Sequence, residues 1–551
     1  MNDTDVDVVV IGSGAGGLTA ALALAQAGLE VMVFEQHYLP GGWCHSFTLE
    51  GYRFSPGVHY IGGLAPGGPM RRIYEGLGVS QDLAFCELNP AGYDHVIVGQ
   101  ERFDIPAGRQ RFSERLITRF PHERAGIEGY LDIAERLPEE LALASQIKGL
   151  GDILRLPWRA PNTLRWGWRT AQSLIDHYVS DPLLKAILLA QSGDHGLPPS
   201  MAPVPFHLGI VNHYLDGAYY PQGGGSAIPR AFARALKRAG SHLSLSTPVD
   251  MVLIENGRAI GVRLVGGQEI RARYVVSNAD PGITFDRLVG REHLSRRLRR
   301  KMDRLTYSVS ALSLFLAVDM DLRGAGLDSG NYWYYENADV DGLYRLGLGD
   351  HILNTERAPA LFLTVTTLKD PSKINRGHHT LELFTFVNYD PFTPWAATTM
   401  KERPTEYEAL KQRLAEKMLI TAEVIIPGLR DHLVFCNAGT PLTNEYYLNA
   451  TQGNIYGPAH TRRQSGPFAF PHQTEIDNLW MCGSSTVNGH GVAGVTASGL
   501  SVARGILGCR MRELLQASGP ELAIYPSEDP SLWPHRLQRR MRHGQKTREI
   551  A

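Results

Sequence analysis

The sequence predicts an α/β protein in which a Rossmann-type domain is interleaved with a helical region and a β-sheet region of α+β character. Three observations predict this fold class. A strand–turn–helix–strand pattern occupies residues 6–35, and residues 120–215 have a mainly helical pattern. Alternating β-type segments then recur over residues 249–279 and 306–388.

Composition excludes several classes of protein. With 551 residues, 43% of them apolar and 20% charged, the chain can bury a large core and is neither disordered nor collagenous. Charge is balanced, with 55 Lys and Arg against 56 Asp and Glu, so a nucleic acid is not expected as a partner. The five cysteines are widely scattered, which predicts no disulfide framework, no metal site and a cytoplasmic, reducing location. No apolar run reaches the ~20 residues that span a bilayer, so any membrane contact would be peripheral.

The N-terminal pattern contains every part of a dinucleotide-binding βαβ unit. Val6–Ile11 reads as a buried parallel strand, residues 12–17 as a glycine-rich turn and residues 18–27 as a helix. A second strand over residues 30–34 ends in Glu35. Because these parts follow one another in register, we favour this interpretation over a glycine-rich turn between two core strands.

The chemistry of such a unit depends on Gly12, Gly14, Gly17 and Glu35, which have the spacing of a GxGxxG motif with a downstream acid. Glycines let the turn and the helix N-terminus approach a pyrophosphate closely, and the helix dipole stabilises its charge. The carboxylate then accepts hydrogen bonds from a ribose. The pattern therefore predicts a bound dinucleotide.

Later segments predict the remaining elements. Asn256-Gly257 and Gly266-Gly267 are hairpin turns of a three-stranded meander over residues 249–279. Further strands are expected at 308–318, 361–368, 380–389 and 479–482, and helices at Thr405–Ile425 and 492–507. Thr405 and Glu408 have the spacing of a capping box at the start of the first of these helices.

Five segments carry a resemblance to a known family. They are EQHYLPGGWCHSF at 35–47, FSPGVHYIGG at 54–63, YYPQGGGSAIPRAFARAL at 219–236, TPLTNEYYLNATQGNIYGP at 440–458 and CGSSTVNGHGVAG at 482–494. Together they resemble the flavin-dependent amine-oxidase and phytoene-desaturase superfamily. Within it they are most similar to retinol saturases and carotenoid cis–trans isomerases.

The resemblance implies a non-covalent FAD and assigns residues to it. The expected cofactor-binding residues are Gly12, Ser13, Gly14, Ala15, Gly16, Gly17, Glu35, Gln36, Gly41, Gly42, Trp43, Gly57, His59, Val249, Gly483, Ser484, Val492 and Ala493. Ser484 departs from the pattern, since related isomerases often carry an acid at that position.

The resemblance also implies three candidate catalytic residues near the flavin, His59, Tyr60 and His490. His490 lies between two glycines and is the first candidate for a proton donor. The alternative is a histidine that only bonds nearby backbone.

The implied activity is that of an FAD-dependent oxidoreductase acting on a C=C bond of a long apolar conjugated polyene, of carotenoid, retinoid or polyenoic acyl type. Saturation by reduced flavin is ranked before cis–trans isomerisation and phytoene-type desaturation. A non-enzymatic lipid carrier with the fold of the GDP-dissociation inhibitors is the alternative from another class. No second GxGxxG unit with a following acid occurs, so electrons would come from a soluble donor, or none would be consumed.

The expected domain division follows from these motifs. The FAD-binding domain is assigned to 1–110, 215–290 and 475–515, a mainly helical region to 111–214, the substrate-binding domain to 291–474 and a tail to 516–551. Within the helical region, residues 155–169 combine the tryptophans Trp158, Trp166 and Trp168 with four arginines, a composition typical of an interfacial membrane contact. The alternative is a surface segment that covers the substrate region.

Overall fold

The structure is a computed structural model, and it describes residues 5–144 and 150–546. The strands are β1 Val6–Ile11, β2 Val31–Phe34, β3 Phe47–Leu49, β4 Tyr52–Phe54, β5 Ala84–Glu87, β6 Asp94–Val98, β7 Glu101–Ile105, β8 Tyr219–Pro221, β9 His242–Ser244, β10 Val249–Glu255, β11 Arg258–Leu264, β12 Glu269–Ser277, β13 Ser310–Val318, β14 Asn331–Tyr335, β15 Ala360–Val365, β16 His379–Val387, β17 Leu433–Gly439, β18 Leu479–Met481 and β19 Ala523–Pro526.

The helices alternate with these strands. They are α1 Ala15–Gln26, α2 Pro69–Gly76, α3 Arg109–Arg119, α4 Arg124–Ala144, α5 Leu150–Arg159, α6 Pro161–Trp166, α7 Ala171–Tyr178, α8 Pro182–Leu189, α9 Val204–Tyr214, α10 Ala227–Arg238, α11 Arg296–Asp303, α12 Val340–Gly347, α13 Thr366–Lys369, α14 Thr405–Ile425, α15 Pro441–Leu448, α16 Gly491–Leu507 and α17 His535–Lys546.

The first sheet contains the βαβ unit. Its order is β10-β11-β12-β1-β2-β9, and β18 also pairs with β12. The pairs β1–β2, β1–β12, β2–β9 and β12–β18 are parallel, while β10, β11 and β12 form the antiparallel meander. Helices α1, α10 and α16 pack their apolar side chains into one core on this sheet. The predicted first strand, the meander and the α/β fold class are confirmed.

The second sheet has the order β17-β13-β16-β15-β14-β6-β7 and is antiparallel except for the pair β14–β6. Helix α14 packs on one face through a core that includes Leu314 and Met418. The helices of residues 109–214 share another core with this sheet, which confirms the helical prediction for that region. Strands β6 and β7 belong to this sheet, although they come from the 1–110 range that the sequence assigns to the first domain.

Two local predictions are wrong. The predicted strand at 361–368 ends at Val365, because the hydroxyl groups of Thr366 and Thr367 bond to Thr380 and the chain turns into α13. At the start of α14 there is no capping box: Pro404 is the N-cap residue, and Thr405 is already inside the helix.

The segment at 155–169 is only partly the exposed surface that its composition predicts. Trp158 and Trp168 are 82% and 56% exposed, but Trp166 is completely buried. Trp166 belongs to the core of the helical region, and the guanidinium groups of Arg165 and Arg169 cover its ring at 5.0 and 5.3 Å. Among the described residues, no helix is long and apolar enough to cross a membrane.

The C-terminal segment is folded as far as it is described. Strand β19 pairs with β5, and α17 buries Leu537 and Met541 against the core that the helical region shares with the second sheet. The sequence is basic over residues 534–548, and the last two of these residues lie outside the described part of the chain.

Candidate functional site

The glycine-rich turn after β1 has room for backbone only. A Cβ atom on Gly17 would lie 2.3 Å from the carbonyl oxygen of Gly12, and one on Gly14 would lie 2.5 Å from the side-chain amide nitrogen of Asn278. Gly12 itself has a φ of 91°, in the region that favours glycine. The GxGxxG spacing is therefore a steric requirement of this turn.

Glu35 connects the end of β2 to this turn. The backbone N–H and the hydroxyl of Ser13 both donate to Glu35 Oε2, at 2.8 and 2.7 Å, and the N–H of His37 donates to Oε1 at 2.9 Å. The Ser13 hydroxyl in turn accepts from the N–H of Gly41 at 3.1 Å, so the glycine doublet is tied to the same network. A buried carboxylate thus organises both predicted glycine motifs.

A second helix begins beside the first. Helices α1 and α16 cross so closely that a Cβ atom on Gly499 would lie 2.3 Å from the carbonyl oxygen of Gly16. Within the described part of the chain, no side chain caps the N-terminus of either helix, and neither first turn contains an acidic residue. Both helix dipoles therefore present their positive ends to the same volume.

That volume is one cavity of about 640 Å³ that runs from the glycine turns to the second sheet. Sixteen of the eighteen predicted cofactor residues line it: Gly12, Gly14, Ala15, Gly16, Glu35, Gln36, Gly41, Gly42, Trp43, Gly57, His59, Val249, Gly483, Ser484, Val492 and Ala493. Ser13 and Gly17 do not line it. Ser13 supports Glu35, and Gly17 permits the close packing behind the turn.

The other end of the cavity is apolar and aromatic. Phe362 and Phe384, from β15 and β16, stack with ring centroids 4.6 Å apart, and Phe206 and Ile210 approach from α9. The imidazole of His59 stacks on Phe384 at 5.6 Å, and its Nδ1 lies 3.2 Å from Glu382 Oε2. This end can hold a flat apolar molecule.

His490 lines the cavity as a neutral ring. Its Nε2–H donates to the carbonyl oxygen of Asp194 at 2.6 Å, and the ring packs against Tyr456 and His460. Burial lowers the pKa of His490 to about 3, so the imidazolium form is not populated near neutral pH. The single N–H of this ring is already committed to backbone.

A carboxyl that the sequence does not single out lies next to the predicted Tyr60. The hydroxyl of Tyr60 donates to Asp194 Oδ2 at 2.6 Å, and Asp194 lines the cavity. Tyr60 also stacks on Tyr214, with centroids 4.1 Å apart and ring planes at 9°. In the sequence Asp194 stands in the polar stretch QSGDHG, and only tertiary structure places this stretch beside the cavity.

FAD fits this cavity on the residues present. Its pyrophosphate needs backbone N–H groups and positive helix ends, which α1 and α16 provide, and its ribose needs an acceptor, which the Glu35 carboxylate provides. Its flat ring system needs an apolar slot, and the cavity continues into one. The fold and the cavity define a flavin-dependent oxidoreductase.

Comparison with known proteins gives the family. The chain belongs to the family described as flavin containing amine oxidoreductase, which matches residues 15–507. It is 31% identical over 504 residues to an all-trans-retinol 13,14-reductase of Danio rerio, covering 87% of this chain and 82% of that protein. It is 27% identical over 513 residues to a chloroplastic prolycopene isomerase of Daucus carota, covering 91% and 79%.

Solved structures agree on the fold. An oxidoreductase from Methanosarcina mazei superposes with a TM-score of 0.63 at 20% identity, over 90% of this chain and 99% of that one. A putrescine oxidase superposes with a TM-score of 0.58 at 17% identity, over 92% and 99%. The protein is an FAD-dependent oxidoreductase, and membership of this flavoenzyme family disfavours the lipid-carrier alternative.

Proposed function

We propose that this enzyme uses reduced FAD to saturate a C=C bond of a long apolar conjugated polyene. The observation that carries the proposal is one continuous cavity that has a glycine-rich end at two helix N-termini and an aromatic end bounded by Phe206, Phe362 and Phe384. Such a cavity can hold a planar polyene against a flavin ring. The names of its relatives, a retinol reductase and a prolycopene isomerase, support a polyene as substrate.

In the proposed reaction, the cofactor and the protein have different roles. Bound FAD supplies hydride transfer to or from the substrate carbon. The protein holds the polyene in a dry slot and orients it, with His59 fixed by its contacts to Phe384 and Glu382. We infer that the roles predicted for Glu35, the glycine turns and the N-terminus of α16 are those of cofactor ligands. A soluble electron carrier would reduce the flavin between turnovers.

The mass of the product tests the proposed reaction. Dithionite-reduced enzyme is mixed under argon with all-trans-retinol, a cis-carotenoid and a polyenoic acyl ester in separate reactions. A gain of two hydrogens supports saturation. An unchanged mass with a new isomer would replace saturation by isomerisation. Loss of two hydrogens, with oxidised enzyme only, would replace it by desaturation.

The size of the aromatic end can be tested at Gly209 in α9. This residue lines the cavity, and a Cβ atom added to it would meet no described atom within 4 Å apart from its own stretch of helix. Gly209→Leu should therefore fill the slot without disturbing the packing, and slow polyene reduction roughly 5- to 150-fold, the equivalent of ~1–3 kcal/mol. Gly209→Ala is the matched control and should have a small effect. Single-turnover kinetics measure both; loss of flavin from Gly209→Leu would show that FAD itself occupies this part of the cavity.

We also propose peripheral docking on an anionic lipid surface. The docking patch consists of the exposed Trp158, Leu164, Trp168 and Phe468, with Trp168 and Phe468 in ring contact at 5.6 Å. Arginines surround these side chains in the sequence, which suits an anionic surface. The N–H of Val204 donates to the carbonyl oxygen next to Trp168, at Arg169, and this connects the patch to α9, which lines the cavity. Docking here would place the cavity near the lipid that carries the substrate.

Liposome co-sedimentation tests the docking patch. Replacing Trp158, Trp168 and Phe468 by serine should lower the partition coefficient at least roughly tenfold, because each large apolar side chain contributes ~1.5–3 kcal/mol when buried. Trp166 is left in place because it is a core residue. The matched control replaces Val265 and Leu532, exposed apolar side chains of other surface segments, by serine. If the triple variant and the control sediment equally, the docking patch covers the protein surface and does not bind lipid.

A further inference from the structure

We propose that the Asp194 carboxylic acid is the proton donor to the reacting double bond, held in place by Tyr60. The proposal rests on the proposed polyene reduction and names the residue that completes it. Asp194 is the last residue of the 3₁₀ turn Ala190–Asp194, which follows α8 directly. It keeps part of its surface accessible, and it lines the cavity beside Tyr60 and His490.

Three hydrogen bonds fix the position of Asp194, one to its carboxyl and two to the backbone on which it stands. Tyr60 donates to Asp194 Oδ2 at 2.6 Å, and His490 donates to the Asp194 carbonyl oxygen at 2.6 Å. The hydroxyl of Tyr456 donates to the carbonyl oxygen of the preceding Gly193 at 2.8 Å. Within residues 5–144 and 150–546, no protein group hydrogen-bonds to Oδ1, so this oxygen remains to carry the transferable proton.

The surroundings of Asp194 keep the carboxyl protonated. Burial raises the pKa of Asp194 to about 8; the hydrogen bond from Tyr60 lowers the pKa and the charge of Asp94 raises it. Five tyrosines near this carboxyl have pKa values raised by burial and stay neutral: Tyr93, Tyr214, Tyr335, Tyr344 and Tyr456. The histidines beside it, His195 and His490, have pKa values lowered by burial and are neutral as well. Asp194 is thus an acid at neutral pH.

The other cavity groups are poorer donors. The pKa of the neutral His490 is near 3, and its N–H is bonded to backbone. The pKa of Tyr60 is raised well above its usual range by burial and by the nearby Asp194, and its proton points at Asp194. Tyr60 is therefore a positioning residue for Asp194.

The proposed step balances in atoms and electrons. Bound FAD in its reduced form would supply a hydride, and with it both electrons, for one carbon of the double bond. The Asp194 O–H bond breaks, and its proton forms the new C–H bond at the other carbon. The carboxylate recovers a proton from water after the product leaves. In an isomerisation, the same carboxylate would take the proton back instead.

Asp194→Asn tests the proposal because it keeps the volume and removes the acidic proton. A positioned general acid contributes roughly 10²–10⁴-fold, so reoxidation of the reduced flavin by polyene should slow by that factor while FAD content stays unchanged. The matched control is Asp216→Asn, the same change at an exposed aspartate just after α9. A rate for Asp194→Asn within about threefold of the control would overturn the proposal.

The pH profile adds a signature that mere loss of packing would not produce. Because the acid form of Asp194 is the reactive one, the wild-type rate should be level below about pH 8 and fall above it. Tyr60→Phe removes the hydrogen bond that lowers the pKa of Asp194, so the decrease in rate should move to higher pH. Asp94→Asn removes the negative charge that raises the pKa of Asp194, so the decrease in rate should move to lower pH. If both variants shift the pH profile in the same direction, or neither shifts it, Asp194 is not the proton donor.

Infrared difference spectroscopy of the holoenzyme gives a readout without turnover. A protonated carboxyl band should disappear as the pH rises through about 8 and be absent from Asp194→Asn. Absence of the band in wild type would overturn the proposal whatever the kinetics. If the band titrates as expected but wild type reduces no polyene, the proposed function fails, and Asp194 loses its catalytic role with it.

Discussion

Gly17→Ala should yield a protein that is purified with a clearly reduced content of FAD. The new Cβ would lie 2.3 Å from the carbonyl oxygen of Gly12 and 3.1 Å from Cβ of Asn278, and neither neighbour can move without opening the turn. Such overpacking costs ~1–3 kcal/mol or more, which corresponds to roughly 5- to 150-fold weaker cofactor binding if the turn absorbs the strain. The ratio of flavin to protein absorbance after purification measures the effect.

Gly439→Ala is the control for this substitution. Gly439 ends β17, and a Cβ atom there would make only ordinary contacts, the nearest at 3.6 Å. We expect it to retain flavin as wild type does, with a small change in thermal stability. Full flavin content in Gly17→Ala would mean that the turn is more compliant than its contacts indicate.

Glu35→Ala should weaken FAD binding by roughly 10- to 150-fold. A hydrogen bond to a charged acceptor is worth ~1.5–3 kcal/mol, and this carboxylate would lose its bond to the ribose. It also accepts from Ser13 and His37, so the apoprotein should lose some stability as well. Titration of deflavinated protein with FAD, followed by flavin fluorescence, gives the dissociation constant, and thermal unfolding of the apoprotein gives the second effect.

Glu30→Ala provides the comparison for Glu35, since Glu30 is exposed and stands just before the same strand. It should bind FAD as wild type does. If Glu35→Ala lowers apoprotein stability but leaves the dissociation constant unchanged, Glu35 is a structural link between the two glycine motifs and not a ribose ligand.

The sequence predicts the local parts of this fold well. The βαβ unit and the meander depend on turn glycines and short-range periodicity, and both form where the pattern indicates. Strand β14 is different: its residues Asn331–Tyr335 are all buried, and their register with β6 joins segments more than two hundred positions apart. No local alternation marks such a strand, so its pairing could not be predicted.

The residues of the site also fall into those that a local motif predicts and those that only the tertiary structure reveals. Most predicted cofactor residues line one cavity, because the motifs specify backbone geometry that the sequence records directly. Asp194 acquires its chemistry from surroundings contributed by distant segments, and Trp166 becomes a core residue by the packing of its helix. Whether a single polar or aromatic side chain is buried depends on the tertiary structure, so it cannot be predicted from a sequence motif.

The crossing of α1 and α16 has a consequence for the biosynthesis of this enzyme. Gly16 and Gly499 stand almost five hundred positions apart in the sequence, yet the two backbones touch, and β18 joins the same sheet beside β12. The face of α1 that packs on α16 therefore stays uncovered until the ribosome has synthesised and released the chain as far as α16. The cofactor end of the cavity is complete only once α16 has been made, so a message truncated before the codons of α16 yields a polypeptide that cannot close it.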